Sequence, residues 1–171
     1  MEIIIRKVSI TELEKLQDIA KKTFIESFSG AVSDDDMRKY VDDNLSRAKL
    51  NAELDNKESE FYFAATGNER IGYLKLNFGQ SQTEVKADDG VEIERIYVCK
   101  EFQGKKVGQL LYEKAMEVAA QKGADYVWLG VWEENTRAIG FYGRNGFVEF
   151  DRHIFKLGDE AQTDIMMKKS L

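Results

Sequence analysis

Between Val91 and Phe147 the chain reads as strand, glycine-bearing turn, helix, strand, helix, and this stretch constrains the fold more than any other. Val91-Glu92-Ile93-Glu94-Arg95-Ile96-Tyr97-Val98 has the β-branched and aromatic content of a strand. Glu101-Phe102-Gln103-Gly104-Lys105-Lys106-Val107-Gly108 is a turn that opens a helix. From Val107 to Lys122 the pattern is amphipathic, with Leu110, Leu111, Ala115, Val118 and Ala119 on the inward face. Ala124 to Trp132 reads as another strand and Asn135 to Arg144 as a short helix ended by Gly146.

The flanking segments complete an alternating plan. Ile3, Ile4, Ile5 and Val8 favour a first strand, and Ser9 with Glu12 forms a capping box. Leu13, Leu16, Ala20, Phe24 and Phe28 recur at helical spacing, with Gly30 as a stop. Ser33 followed by Asp34, Asp35 and Asp36 opens a second helix, whose apolar stripe is Met37, Tyr40, Val41, Leu45 and Ala48. Residues 61–65 and 71–76 form a hairpin around Gly67-Asn68-Glu69-Arg70. The polar stretch from Gly79 to Gly90 is expected to be a mobile loop. Phe147 to Leu157 and Asp164 to Lys168 are closing strands about a turn at Gly158. The predicted order is β-α-α-β-β-β-α-β-α-β-β, without repeats, Pro-rich linkers or any proline at all. Such an order predicts a central mixed sheet with helices on both faces, and 171 residues suit one domain spanning 1–171.

Composition removes several function classes. A net charge of −6 disfavours a nucleic-acid partner, which needs a surplus of Lys and Arg on one face, and favours a cationic ligand. No apolar run approaches the ~20 residues of a membrane span, and no basic region precedes the short apolar N-terminal stretch. The single Cys99 forms no internal disulfide, which fits a reducing compartment, so a cytoplasmic location is expected. With one histidine, His153, and no Cys/His/carboxylate cluster at ligand spacing, no metal site is expected, and His153 is read as an ordinary strand or loop residue.

Two pieces carry chemistry. The turn at Gln103 to Gly108 offers the free N–H groups and positive dipole of a helix start, with Lys105 and Lys106 adding charge, which suits a pyrophosphate. It has neither a Walker loop nor a dinucleotide fingerprint, and a plain tight turn explains it equally. Asn135 and Tyr142, seven apart on a helix, project from nearly one face with Ala138 between them. That stripe can lie along a thin cofactor, or Tyr142 can pack in the core with Phe141 and Ile139.

Together these pieces resemble the GNAT superfamily of N-acetyltransferases, an α/β (α+β) fold with a central mixed, mostly antiparallel sheet and helices on both faces. Its signature is Gln/Arg-x-x-Gly-x-Gly/Ala at a strand–helix turn, then Asn-x-x-Ala-x-x-Phe/Leu-Tyr on a later helix. Gln103 and Gly108 hold the first and last positions of the former, while Lys106 replaces its central glycine. Residues 135–142, Asn-Thr-Arg-Ala-Ile-Gly-Phe-Tyr, match the latter in full. Phe-Gly-Gln-Ser-Gln-Thr-Glu (78–84), Trp-Leu-Gly-Val-Trp-Glu-Glu-Asn (128–135) and residues 157–167 are similar to the PaiA-type polyamine acetyltransferases.

The resemblance implies acetyl-coenzyme A as cosubstrate and a small amine such as spermidine or spermine as acceptor, and a homodimer is the expected form if copies pair. It implies that backbone N–H groups of Ile96-Tyr97-Val98 receive the pantetheine arm and thioester oxygen. Gly104 to Gln109 (Lys105, Lys106, Val107 and Gly108 between them) would hold the pyrophosphate, with Gln103 at the turn. Asn135, leading Thr136, Arg137 and Ala138, would hold the arm from the other side, and Arg144 would lie near the nucleotide phosphates. Tyr142 is the candidate acid for the departing thiolate. Glu94, with Glu92 alternating beside it, is the candidate base, unless both are surface charges or partners of Arg95 or Arg6. Asp34, Asp35, Asp36, Asp42 and Asp43 are candidates to hold the acceptor's ammonium groups. A protein or peptide N-acetyltransferase, and a non-catalytic module sensing acetyl-coenzyme A or polyamine, are the alternatives.

Overall fold

The computed structural model describes residues 1–171. The isoleucine run forms β1 (Ile4–Lys7), and Glu12 then closes the following turn by accepting from the Ser9 N–H at 3.2 Å. α1 (Leu13–Phe28) buries Leu16, Ala20, Phe24 and Phe28, the face its spacing defines. α2 (Asp34–Asn44) begins where Ser33 Oγ accepts from the Asp36 N–H at 3.1 Å.

The second helix does not continue through Ala48 as expected. It stops at Asn44, and Ser46 caps a separate helix, α3 (Arg47–Asp55), its Oγ accepting from the Lys49 N–H at 3.2 Å. A serine hydroxyl competes for nearby backbone groups and so favours helix starts over interiors. The break lets Leu45 and Leu50 both reach the core.

β2 (Ser59–Thr66) and β3 (Glu69–Phe78) form the expected hairpin. Then come β4 (Gly90–Val98), α4 (Val107–Gln121), β5 (Tyr126–Trp132), α5 (Thr136–Arg144), β6 (Val148–Leu157) and β7 (Glu160–Ser170). The seven strands make one sheet in the order β1-β2-β3-β4-β5-β7-β6. Only β4 and β5 pair in parallel, because α4 carries the chain back across the sheet between them. The sheet is thus mixed and mostly antiparallel, as the sequence predicts. β7 is longer than the expected Asp164–Lys168 because β5 on one side and β6 on the other supply partners along its whole length.

Each face of the sheet buries its own core. α4 and Tyr142 of α5 pack on Ile71, Leu74, Ile93 and Leu129; α1, α2 and α3 pack on Phe61, Phe63 and Tyr73. The expectation of a mobile loop between Gly79 and Gly90 needs correction at its centre. Gln82 is buried there, donating to the carbonyls of Gly79 (3.2 Å) and Ala87 (2.8 Å) and accepting from Trp128 Nε1 at 2.7 Å. The Gln82 side chain turns inward and takes over bonds that strand partners would otherwise make.

No helix is long and apolar enough to cross a membrane.

Candidate active site

The parallel pairing of β4 with β5 covers only Gly90–Ile93 against Tyr126–Leu129. Beyond it the strands part, so Glu94–Val98 present one edge of backbone N–H and C=O groups with no strand partner. The cause lies on the other side of β4. Lys75 faces Arg95 while Leu76 faces Ile93, so Glu94 is an extra residue bulged out of the ladder. A bulge bends its strand and adds local twist, which turns β4 away from β5. The sequence alternation of Glu92 and Glu94 gives no hint of it.

The splay opens into a groove of about 1290 Å³. Along it lie the β4 edge with Ile96, Tyr97 and Val98, the turn and helix start with Gln103, Gly104, Lys106, Val107, Gly108 and Gln109, and α5 with Asn135, Arg137, Ala138, Tyr142 and Arg144. Glu92 and Glu94 line it too. Lys105 and Thr136 are the two predicted residues that do not; the Lys105 ammonium lies 5.8 Å from the Phe102 ring centre instead.

The turn carries backbone strain at one residue. Gly104 has φ +80°, and Lys106, where the pattern has glycine, is the sole non-glycine residue with positive φ, at +66°. The turn hands over directly to α4, whose first amides face outward unpaired. Gln103 Nε2 donates to the Val98 carbonyl at 3.2 Å, tying turn to strand. Asn135 caps α5, its Oδ1 accepting from the Ala138 N–H at 3.1 Å, so this face of its amide is spent on the helix.

Tyr142 is both things the sequence allowed. Its ring is buried against Phe141 and Phe147, yet it lines the groove, and its hydroxyl has no hydrogen-bond partner in the chain and is not sealed away. Burial raises its pKa well above the usual phenol value, so it stays protonated.

The two glutamates proposed as bases are engaged elsewhere. Glu94 accepts from Lys75 Nζ at 2.6 Å and Asn77 Nδ2 at 2.7 Å, and pairs with Arg95 at 3.1 Å. Glu53 of α3 pairs with the same Lys75 and Arg95, closing a square of two anions and two cations beneath the bulge. Burial alone would raise the Glu94 pKa, but Arg95 and Lys75 outweigh it and lower it to about 2. A carboxylate so held is a poor proton acceptor. Glu92 accepts from Thr83 N–H (2.8 Å), Thr83 Oγ1 (2.6 Å) and Asn77 (3.0 Å); burial raises its pKa against these bonds. It clasps the Gly79–Gly90 segment onto β4.

The groove has ends of opposite character. Lys106, Arg137 and Arg144 gather near the turn and α5, tempered by Glu113 and Glu134. At the other end an aromatic wall combines Phe28, Trp132, Tyr40 and Phe155, with ring centres 5.3 Å (Phe28–Trp132) and 5.6 Å (Tyr40–Phe155) apart. Glu84, Asp164, His153 and Glu26 stand beside it. Asp34, Asp35, Asp36, Asp42 and Asp43 do not line the groove: Tyr40 takes the inward face of α2, and Asp36 accepts instead from the Asp159 N–H at 3.3 Å. Sequence reasoning missed this acidic end because a loop, β6 and β7 assemble it from positions 84, 153 and 164. The lone histidine was the only available signal. Cys99 is buried, and its thiol pKa is pushed up by burial to about 11, in keeping with an apolar filler. No group of three or more His, Cys, Asp or Glu side chains could hold a metal ion.

Comparison with known proteins agrees with this architecture. The family model described as Acetyltransferase (GNAT) family matches residues 13–147. An uncharacterized N-acetyltransferase of Lactobacillus delbrueckii subsp. lactis is 39% identical over 96% of this chain and 95% of its own length. The spermidine N(1)-acetyltransferase of Thermoplasma acidophilum is 27% identical over 99% of this chain and 98% of its own. The crystal structure of the PaiA N-acetyltransferase from Thermoplasma acidophilum in complex with coenzyme A superposes over the whole of both chains with a TM-score of 0.82 and 26% identity. With its family pattern spanning most of the chain and its strands splayed around the matching turn and helix, the protein belongs to the acetyltransferase (GNAT) family.

Proposed function

We propose that this acetyltransferase moves the acetyl group of acetyl-coenzyme A to a primary amine of a small polycation, of which spermidine and spermine are the type. The observation that carries the reading is the two-ended groove: cations and a helix start at one end, aromatic rings and carboxylates at the other. A pyrophosphate suits the first and a flexible alkyl chain of ammonium groups suits the second, through ion pairing and cation–π contact. The likeness to a spermidine acetyltransferase along nearly the whole chain supports the same substrate class.

In this reading the pyrophosphate sits on the free amides of the Lys106–Gln109 segment, with Lys106, Arg137 and Arg144 within reach of its charge. The pantetheine arm runs along the unpaired edge of β4 and takes the place of the missing strand. Amide N–H groups of that edge face the thioester oxygen as it becomes negative, where fixed donors are most effective. Tyr142, protonated and free at its hydroxyl, donates to the departing thiolate. The acceptor arrives as an ammonium: with a lysine-like pKa of ~10.4, its deprotonation at pH 7 costs about 4.6 kcal/mol. Glu94 and Glu92 are committed to other bonds, so the base is sought among the groups at the acidic end.

The test is thiol release from acetyl-coenzyme A with spermidine, spermine, lysine analogues and peptides as acceptors. The proposal expects the polyamines to give the highest kcat/KM. Turnover of peptide N-termini with inert polyamines would move the chain to the protein N-acetyltransferases. Acetyl-coenzyme A binding, read as a raised melting temperature, with no turnover of any amine would leave a sensing module.

A further inference from the structure

One group at the acidic end is used by none of these roles. His153, the only histidine of the chain, stands on β6 directly opposite Asp164 of β7. Its Nε2 lies 3.6 Å from Asp164 Oδ2, and its Nδ1 lies 3.5 Å from Glu84 Oε2. Both separations exceed an ordinary hydrogen bond. Nδ1 is sealed from solvent and has no hydrogen-bond partner, the one such buried side-chain atom in the protein. Buried polar atoms are paired almost without exception, so an orphan bordering a groove marks a place for a missing partner.

The sheet makes room for this group. Gly130 is the first β5 residue beyond the pairing with β4, on the floor of the splay. A Cβ on it would come within 3.3 Å of Asp164 Oδ2 and 3.5 Å of His153 Cε1. Gly130 has no positive φ, so the backbone does not call for glycine there; a side chain would instead press on Asp164 Oδ2. The bare floor leaves the imidazole and its carboxylate open toward the point where β4 and β5 part, beside which the thioester would lie.

Every titratable group facing the imidazole is anionic or neutral. Asp164 comes from β7 and Glu84 from the segment before β4. Tyr40 of α2 and Tyr97 of β4 stand near enough for Asp164 to raise their pKa values. Arg152, the next residue on β6, is turned away to Glu149 and Glu133. Burial raises the pKa of Asp164, and the neighbouring His153 works against that rise. Arg95, whose charge reaches the same two tyrosines, is held by Glu53 and Glu94.

We propose that His153, backed by Asp164, is the catalytic base that takes the proton from the acceptor's ammonium, and that Glu84 holds the ammonium against it. The assignment rests on the acetyltransferase reading above. The protons balance as follows. With Nε2 toward Asp164, the ammonium enters between Glu84 Oε2 and Nδ1, gives one proton to Nδ1 and becomes a neutral amine. The amine lone pair forms the C–N bond at the thioester carbonyl, and collapse of the tetrahedral species breaks the C–S bond. The thiolate takes a proton from Tyr142, and the second proton lost from the new amide nitrogen restores that phenol. His153 returns its proton to solvent, so one proton is released per acetyl group transferred. Asp164 faces the growing imidazolium, which makes the transfer cheaper in a site poor in water.

The test uses the intact chain with acetyl-coenzyme A and spermidine. His153→Gln should lower kcat at pH 7 about 10²-fold or more, the low end for loss of a positioned base. The acid limb of its kcat/KM profile should vanish, leaving a rise that follows the free-amine fraction alone. The KM for acetyl-coenzyme A and the melting-temperature rise on adding it should stay as in wild type. His153→Ala should regain part of its rate on adding free imidazole, and Asp164→Asn should lose kcat with His153 still present. Variants that keep the acid limb and lie within about twofold of wild type overturn the assignment. So does a lost rate that comes with lost acetyl-coenzyme A binding and no rescue by imidazole, which marks a structural histidine. An active wild type with indifferent variants sinks this assignment alone, whereas a wild type that acetylates no amine sinks it together with the reading it rests on.

Discussion

Lys106→Gly separates stability from function at a single residue. Lys106 holds φ +66° and ψ +13° at the start of α4. For a residue with a Cβ the left-handed region costs roughly 1–2 kcal/mol. Glycine relieves that strain but gives back about 0.5–1 kcal/mol through its freer unfolded chain. The net gain is about 0–1.5 kcal/mol, centred near 0.75, and for a chain of this size about 2–4 °C per kcal/mol gives a rise of a few degrees, at most roughly 6 °C, in Tm. The same change removes an exposed ammonium from the cationic end of the groove. A surface charge pair contributes at most about 1 kcal/mol, so the KM for acetyl-coenzyme A should rise no more than about fivefold. Lys106→Ala is the control: it keeps the strain and removes the charge, so KM should rise with little change in Tm. Scanning calorimetry and initial rates on the three proteins decide it. A lower Tm for the glycine variant, or equal Tm shifts for glycine and alanine, would refute the argument from backbone strain.

The proposed acid role of Tyr142 implies that Tyr142→Phe lowers kcat by about 10²–10⁴-fold while the acetyl-coenzyme A thermal shift persists; a near-normal rate would leave the ring as packing only. Lys75→Met leaves Glu94 and Glu53 to share Arg95, and breaking such a buried set should cost about 3 kcal/mol, read as a lower urea midpoint at unchanged slope. Stability should also depend on acid through Glu94 and Glu12, both with pKa lowered to about 2. A depressed carboxyl pKa contributes stability that is complete above the unfolded value of ~4.3 and lost as pH falls through the folded one, so urea midpoints should drop between about pH 4.3 and 2. Glu92 and Asp164, whose pKa values are raised, act oppositely: their gain on protonation falls above the unfolded carboxyl values, so it precedes the drop as pH is lowered. Glu94→Gln should flatten the acid dependence, and an unchanged slope would count against the ion-pair square.

Local physics made much of the fold legible in the residues themselves. Amphipathic spacing sets α1 and α4, serine caps and glycine stops set most helix ends, and the run of strands around them implies a covered mixed sheet. The turn at Gln103–Gly108 and the stripe from Asn135 to Tyr142 were legible for the same reason: each is a continuous segment whose chemistry depends on neighbours in sequence. Even the strain at Lys106 could be read in advance, because glycine is the residue that the left-handed region favours. Tertiary structure decided what depends on register and burial. The bulge at Glu94 is a mismatch between two strands, and no single strand records it. That bulge opens the splay and, with Lys75, Arg95 and Glu53, converts the expected base into a locked anion. The acidic end of the groove arises because cross-strand pairing sets His153 beside Asp164 and a buried clasp brings in Glu84. Helical and strand periodicities report which face a residue takes, but the proton affinity of a carboxylate is set by charges and burial from distant parts of the chain.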